Sequence, residues 1–548
     1  MQAVEAALIQ TDARLPHGFD PLNDGLLLLG ARSEARVREL LSLGVRKLVL
    51  LGASGTIALE PSASLPGLRL AQSPEEAVSL FLEFEEPPRN VVVERLPGTS
   101  YTQEQAQAIA QHLAHNTSNR VTFAKSGRSW VEHAFANFPV LAEGRPVAAL
   151  SGLCRGRTAI LVSPGPSLAK NIDVLKEAAE NVVIIAGNRA LRPLREHGIV
   201  PHIVLVSDPL NLRYQLDGGL LDGVQALVMD MVVHPDVAQL SAARKFFFAT
   251  APEINAATLT TFGPDSRLSG GGSVATVALS LALRLEASTI VLVGQDLALS
   301  GEQYYIPSAP DGDTRVALQG STGTFQNSSR ELRTAMADAG TTPLGSDAIQ
   351  HFLAVPGYGG GTVMTSKQFD SYRTWFAAEG ARIGAGARLI NATEGGAHIE
   401  NWSEMPLAEA VAGLSSGLAL EFPAAPSGEE RKQARKRLLA RIDSLQRLLR
   451  EADEQAVECL RWAQKAADTE GALERLDVAE KKLGRTASEL PLLIAIGAGE
   501  VEAARRAGAN AKNLADSLQA SSRLFRVIRE AALLCRPWLA QAKRSLKA

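Results

Sequence analysis

The stretch TAILVSPGPSL, residues 158–168, decides how this chain is read. A strand-forming apolar run leads into Ser163-Pro164-Gly165-Pro166-Ser167, a tight turn ending on a serine suited to cap a helix. The same grammar returns in NVVIIAGNRAL (181–191), whose apolar run stops at Gly187-Asn188, and in HIVLVSDPLN (202–211), which stops at Ser207-Asp208. STIVLVGQDLALSG (288–301) repeats it with Gly294-Gln295-Asp296. Short continuous apolar runs separated by helical intervals suit a parallel sheet covered on both faces. In such open sheets the ligand crevice lies outside the carboxyl ends of the strands. Four polar strand ends therefore predict one site.

Helices over residues 167–180, 189–196 and 274–285 fill the intervals, and right-handed crossovers put them on the two faces of the sheet. The expected fold class is α/β: a central Rossmann-like, mostly parallel sheet covered by helices, with a small N-terminal α/β domain and a C-terminal helical domain. Three domains are expected, over 1–140, 141–425 and 426–548. In the first, SEARVRELLSLG reads as a helix and VRKLVLLGAS and NVVVERL as strands. Gly52-Ala53-Ser54-Gly55 resembles a degenerate phosphate loop, but a tight turn is the simpler reading because no GxGxxG or Lys-Ser/Thr follows. Residues 301–330, rich in Gly, Pro, Ser and Thr, read as a loop over the site. Beyond Pro426, Ser427 and Glu430 fit a capping box. Leu438, Ile442, Leu445, Leu449, Ala452, Ala456, Cys459 and Ala463 then form a seam for packing within the chain or in an oligomer through the C-terminal helices. The basic blocks RKQARKR and KRSLK read first as solvated helix faces and second as a docking surface.

With 548 residues, 46% of them apolar and 21% charged, the chain can bury a large core. A net charge of −3 provides no basic field for nucleic acid. Cys154, Cys459 and Cys535 are scattered and odd in number, which suits a reducing compartment and neither a disulfide framework nor a zinc cluster. MQAVEAALIQ lacks the pattern of a signal peptide, and no apolar window is long enough to span a membrane, so a cytoplasmic protein is expected.

The candidate site follows from the strand ends. Gly165 and Pro166 shape a turn before a helix whose N-terminus, capped by Ser167, suits an anion. A second such end is Leu268-Ser269-Gly270-Gly271-Gly272-Ser273. Asn188, Ser207 and Asp208 supply directional hydrogen bonds able to read a base and a ribose. Gln295-Asp296 is followed by Tyr304-Tyr305, whose hydroxyls could support a leaving phosphate. Asp311-Gly312-Asp313 matches a DxD metal motif, but it has no adjoining strand and reads as a polar turn, so no metal is assigned.

GPSL, GNRALRPLREHGIVPHIVLVSD, GGGSVATVALSLALRLEASTIVLVGQDLALS, GYGGGTVMTSKQF and NATEGGAHI, in this order over about 145–400, resemble the motility-associated factor (Maf) family. Its members are flagellin glycosyltransferases sharing a core with hydroxymethylpterin diphosphokinases. The resemblance implies a core similar to bacterial sialyltransferases and transfer of a nonulosonic acid, of the pseudaminic or legionaminic type, from a CMP-activated donor to Ser or Thr of flagellin. It implies no cofactor beyond that donor. Carried onto this chain, it implies a CMP pocket lined by Gly165, Pro166, Ser167, Asn188 and Ser273, with Gly271, Gly272, Ser207, Asp208 and Gln295 nearby. Asp296 and Tyr304 or Tyr305 would stand near the departing phosphate, and Glu394 would serve as base or cation stabiliser. Among the histidines His398, four residues further on, is the best placed for the base, with a satisfied structural histidine as the simpler reading. Two departures stand out: His202 replaces a common acidic residue, and Ser163-Pro164 replaces the Gly-Asn of sialyltransferases. The alternatives are a non-catalytic flagellin-binding assembly factor and an ATP-dependent pterin pyrophosphokinase.

Overall fold

The structure, a computed structural model, describes residues 15, 21, 25–30, 34–52, 68–73, 76–77, 80–81, 91–96, 99–103, 105–106, 109, 126–263, 266–327, 329–338, 350–414, 419–466, 470–509 and 511–548. These form two compact units. One draws on 1–128, 450–489 and 493–533, the other on 129–449, 490–492 and 534–548.

The first unit contains a four-stranded sheet of β1 (Gly25–Leu29), β2 (Leu48–Leu51), β3 (Leu68–Ala71) and β4 (Val91–Arg95), in the order β3-β2-β1-β4 and parallel throughout. Glu94, fully buried on β4, is held by a two-pronged contact from Arg36 at 2.7 and 3.0 Å. The glycine-rich turn read at 52–55 lies, after Gly52, outside the described residues.

The second unit is built on nine parallel strands. They are β5 (Arg145–Pro146), β6 (Thr158–Val162), β7 (Val183–Gly187), β8 (Ile203–Val206), β9 (Ala226–Asp230), β10 (Lys245–Phe248), β11 (Thr289–Val293), and, after a β12–β15 insertion described next, β16 (Arg388–Asn391) and β17 (Ser403–Glu404). Their order is β17-β16-β11-β6-β7-β8-β9-β10-β5. Alternate residues of one strand serve opposite cores. Leu161, Ile185, Leu205 and Leu292 pack with Val277, Leu281 and Phe376, whereas Ile160, Ile184 and Val291 pack with Leu168, Ile172 and Leu175. The helices Val274–Arg284 and Lys367–Ile383 thus lie on one face and Leu168–Ala178 on the other. This is the helix-covered parallel sheet that the apolar runs predict.

The segment read as a loop over 301–330 is instead largely a hairpin. β12 (Arg315–Gln319) and β13 (Thr322–Gln326) pair antiparallel around Gly320, whose φ of +62° supplies the turn. β14 (Gln350–Pro356) and β15 (Thr362–Ser366) extend it to four strands. Composition hid the alternation in RVALQ-GS-TGTFQ, where Val316 and Phe325 are buried.

Ser427 and Glu430 form the expected reciprocal cap of the helix Gly428–Lys465, at 2.8 and 3.2 Å. The seam from Leu438 to Cys459 is fully buried by the chain itself. No helix among the described residues is long and apolar enough to cross a membrane.

Candidate functional site

From β6 the chain proceeds through β7, β8, β9 and β10 to one side, while β11 and β16 lie on the other. The carboxyl ends around β6 are therefore a topological switch point, where open α/β sheets hold their ligands.

Asp296, after β11, is at its centre. Its carboxylate accepts the Ser167 N–H at 3.1 Å and the Ser167 hydroxyl at 2.7 Å, and the residue is only 4% exposed. The helix end expected to be open to a phosphate is thus filled from within the chain, because a buried carboxylate needs donors and an uncapped helix supplies them. The Leu168 N–H goes to Gly165 O, and the Ala169 N–H to Pro166 O. A Cβ on Gly165 would stand 1.9 Å from Asp296 Oδ2 and 2.4 Å from Gly294 O, so only glycine fits. Gly395 and Gly396 cover Asp296 from the other side, with the Ala397 N–H bonded to Asp296 O at 2.7 Å. Burial pushes the Asp296 carboxyl up to about 6, against the opposing pull of the Ser167 donors. Gln295 turns beneath the crevice to accept from the Ser163 hydroxyl, which gives the departure at Ser163 a structural role.

Glu394, left-handed at φ +57°, accepts from Asn171 Nδ2 at 2.7 Å and from the Leu407 N–H at 2.9 Å. One of its oxygens is thereby committed to joining three segments. His398 carries its Nδ1 2.7 Å from Glu404 Oε1, and Glu404 Oε2 accepts the Gly359 N–H at 2.9 Å. This arrangement orients a partly exposed imidazole by a carboxylate, as a general base requires.

The second anion-friendly helix end is capped in part by its own residues. Ser273 accepts from the Thr276 N–H, and the Thr276 hydroxyl accepts from the Gly271 N–H at 2.8 Å. Gly271 and Gly272 make room for aromatic rings: a Cβ on Gly271 would meet Trp375 at 2.4 Å, and one on Gly272 (φ +96°) would meet Tyr372 at 3.2 Å.

Across β7 and β8 lies a charged cluster. Asn188 donates to Gln215, which donates to the Tyr214 hydroxyl at 2.8 Å, and that hydroxyl donates to Asp311 at 3.2 Å. Arg189 sits with its guanidinium 4.5 Å from the Tyr305 ring centroid and 3.3 Å from Asp311 Oδ2. Burial opposes its charge, but Tyr305, Asp311, Tyr214 and Asp208 outweigh that and keep it cationic. Burial raises the Asp208 carboxyl, with the Leu210 N–H and Arg189 pulling the other way. Ser207, half-buried, precedes it at the end of β8. Asp311 of the DxD pattern is thus tied into this cluster, and no group of three or more His, Cys, Asp or Glu among the described residues is arranged to hold a metal ion.

Tyr304 is packed in an aromatic cluster. It stacks on Phe369 at 4.3 Å, meets Phe325 edge-on, and is 6% exposed with its hydroxyl 3.5 Å from Ser366 Oγ. Tyr305 is the member of the pair that carries the Arg189 guanidinium over its ring. Tyr304→Phe should cost no more than about 1 kcal/mol and leave activity unchanged, whereas Tyr304→Ala should cost about 3–5 kcal/mol; urea unfolding measures both. His202 is likewise structural, its Nδ1 accepting the Ile184 N–H at 3.1 Å. Arg189 and Tyr214 escaped the motif reading, although a charged residue directly after an apolar strand was the available signal for Arg189.

No curated protein matches the chain in sequence. The solved structure of the MAf glycosyltransferase from Magnetospirillum magneticum AMB-1 aligns over 96% of this chain and 80% of its own, at 14% identity and a TM-score of 0.47. Residues 132–302, which hold β5 to β11 and the switch point between them, match the family model described as 6-hydroxymethylpterin diphosphokinase MptE-like.

Proposed function

We propose that this chain is a glycosyltransferase that moves a nonulosonic acid, of the pseudaminic or legionaminic type, from a CMP-activated donor to Ser or Thr hydroxyls of flagellin in the cytoplasm. The observation carrying this reading is the gathering of Arg189, Asp208, Tyr214 and Tyr305 beyond the ends of β7 and β8, beside the switch point, where Asn188 and Ser207 also stand. Amide and carboxyl groups there suit a base and ribose, and a buried cation beside them suits an acidic, activated sugar. The ordered motifs over 145–400 supply the donor and acceptor classes.

In the proposed reaction the bond from the anomeric carbon to the phosphate oxygen breaks, and CMP leaves with the electron pair. The resulting oxocarbenium-like centre is attacked by the acceptor oxygen, forming the new glycosidic bond. His398 takes the acceptor's proton on Nε2, since Nδ1 is engaged by Glu404. Asp296 and Glu394 hold the strand-end turns in position.

The test is intact mass of flagellin co-expressed with a nonulosonate pathway and either wild type or His398→Ala. A ladder of additions with wild type, lost with His398→Ala, supports both the transfer and the base. Unmodified flagellin with wild type, with the CMP-sugar shown to be present, would sink the reading.

The family match favours a second reading, pyrophosphoryl transfer from ATP to a hydroxymethylpterin. Release of AMP on mixing the protein with ATP, Mg²⁺ and hydroxymethylpterin would promote it.

A further inference from the structure

Arg189 stands in the short turn Asn188–Ala190, directly after β7, the strand next to the switch point. Its Nε is buried without a hydrogen-bond partner, and its side chain is 21% exposed. Leaving such a donor unbonded is costly, and a methionine or leucine could cover the Tyr305 ring without that cost. Covering the Tyr305 ring therefore gives no reason for a guanidinium here.

What the fork is shaped for is shown by its present neighbour. Asp311 offers it a carboxylate oxygen at 3.3 Å, farther than a charge-assisted hydrogen bond. That carboxylate is held by other donors, the hydroxyls of Tyr214 and Ser329, and its backbone is left-handed at φ +65°. Asp208, the second carboxylate facing Arg189, is engaged by the Leu210 N–H of its own turn. A planar guanidinium with unused donors, already paired loosely with an oxyanion, is matched to a phosphate or carboxylate.

We propose that Arg189 is the oxyanion receptor of the crevice, and that Asp311 is a resident substitute which an incoming phosphate or sugar carboxylate must outcompete. This rests on the transferase reading for the identity of the ligand, a CMP-activated acidic sugar, but not for the receptor itself. The competition has a direct consequence. Asp311→Asn keeps groups that can bond Tyr214 and Ser329 while removing the rival charge, so it should tighten oxyanion binding.

The experiment titrates the full-length protein with CMP, cytidine and N-acetylneuraminic acid by calorimetry, using wild type, Arg189→Met and Asp311→Asn. We expect Arg189→Met to weaken CMP at least about tenfold, the loss of roughly one charge-assisted contact, with cytidine unchanged. Asp311→Asn should tighten CMP severalfold. If the sugar acid responds in this way and CMP does not, the receptor serves the carboxylate and the inference stands with that source. Unchanged binding of both anions in Arg189→Met, or weaker anion binding in Asp311→Asn, overturns it. Should Arg189→Met fail to fold, the sign of the Asp311→Asn change decides alone. If wild type binds neither CMP nor the sugar acid, the transferase reading fails, and ATP becomes the probe. ATP binding that weakens in Arg189→Met then preserves the receptor, while insensitive or absent ATP binding removes it too.

Discussion

Gly165→Ala should be among the most damaging single-methyl additions in this protein, lowering stability by about 3 kcal/mol or more. The added carbon would fall 1.9 Å from Asp296 Oδ2 and 2.4 Å from Gly294 O. Moving the Asp296 side chain could relieve the first clash, but only by breaking its bonds to Ser167 and leaving a buried carboxylate unpaired. The second clash is with backbone, whose carbonyl already receives the Gly165 N–H at 2.8 Å. Turn and strand end would separate, taking the floor of the crevice with them. Urea unfolding should show a lower midpoint at unchanged slope. Gly484→Ala is the matched control: inside the helix Ala472–Ser488, with no atom within 4 Å of a new Cβ, it should raise stability by about 0.5–1 kcal/mol. Equal effects at the two positions would refute the packing argument.

The second large effect concerns pH. The Asp296 carboxyl is raised from 3.8 to about 6 by burial, so the folded chain binds this proton more tightly than the unfolded chain does. Its contribution to stability is therefore full below pH 3.8 and is lost as pH rises through 6, opposite in sign to a salt-bridged carboxylate. A shift of this size corresponds to about 3 kcal/mol. Asp296→Asn removes the titration and keeps an oxygen that can accept from Ser167. Its stability relative to wild type should climb between pH 4 and 6 and level off above, by up to about 3 kcal/mol. Thermal or urea unfolding across that range measures the difference. A difference independent of pH would show that Asp296 ionises as freely folded as unfolded. Should Asp296→Asn be more stable at neutral pH yet less active, the ionised carboxylate is maintained for function against its folding cost.

The parallel sheet was legible because its signal is local: apolar runs of four or five residues, each closed by a polar end, at 158–162, 183–187, 203–206 and 289–293. The hairpin β12–β13 was not, since Thr, Gly and Gln dilute its alternation and its buried apolar side chains are just Val316 and Phe325. Site residues divided along the same line. That Asp296, Asn188 and Asp208 stand at strand ends follows from counting along the chain. That Asp296 caps the helix after β6, that Tyr304 faces Phe369 and not the crevice, and that Glu394 binds Asn171 depend on pairings more than a hundred residues apart or on side-chain direction. Gly271 and Gly272 illustrate the limit: their sequence does not show that the room they leave is taken by Trp375 and Tyr372.

The strand order also sets a schedule for synthesis. β6 finds β7 within about 25 residues, yet its other neighbour, β11, emerges roughly 130 residues later, and β16 a further hundred or so beyond that. At ribosomal speed, β6 keeps one edge of backbone N–H and C=O groups unpaired for on the order of ten seconds. Because such long-range parallel pairing is slow and exposed to aggregation, yield of this protein should depend on cotranslational chaperones more than its final burial would suggest. Rare codons between 163 and 288 would lengthen that exposure, while those after 404 would come once the last strand of the sheet is already made.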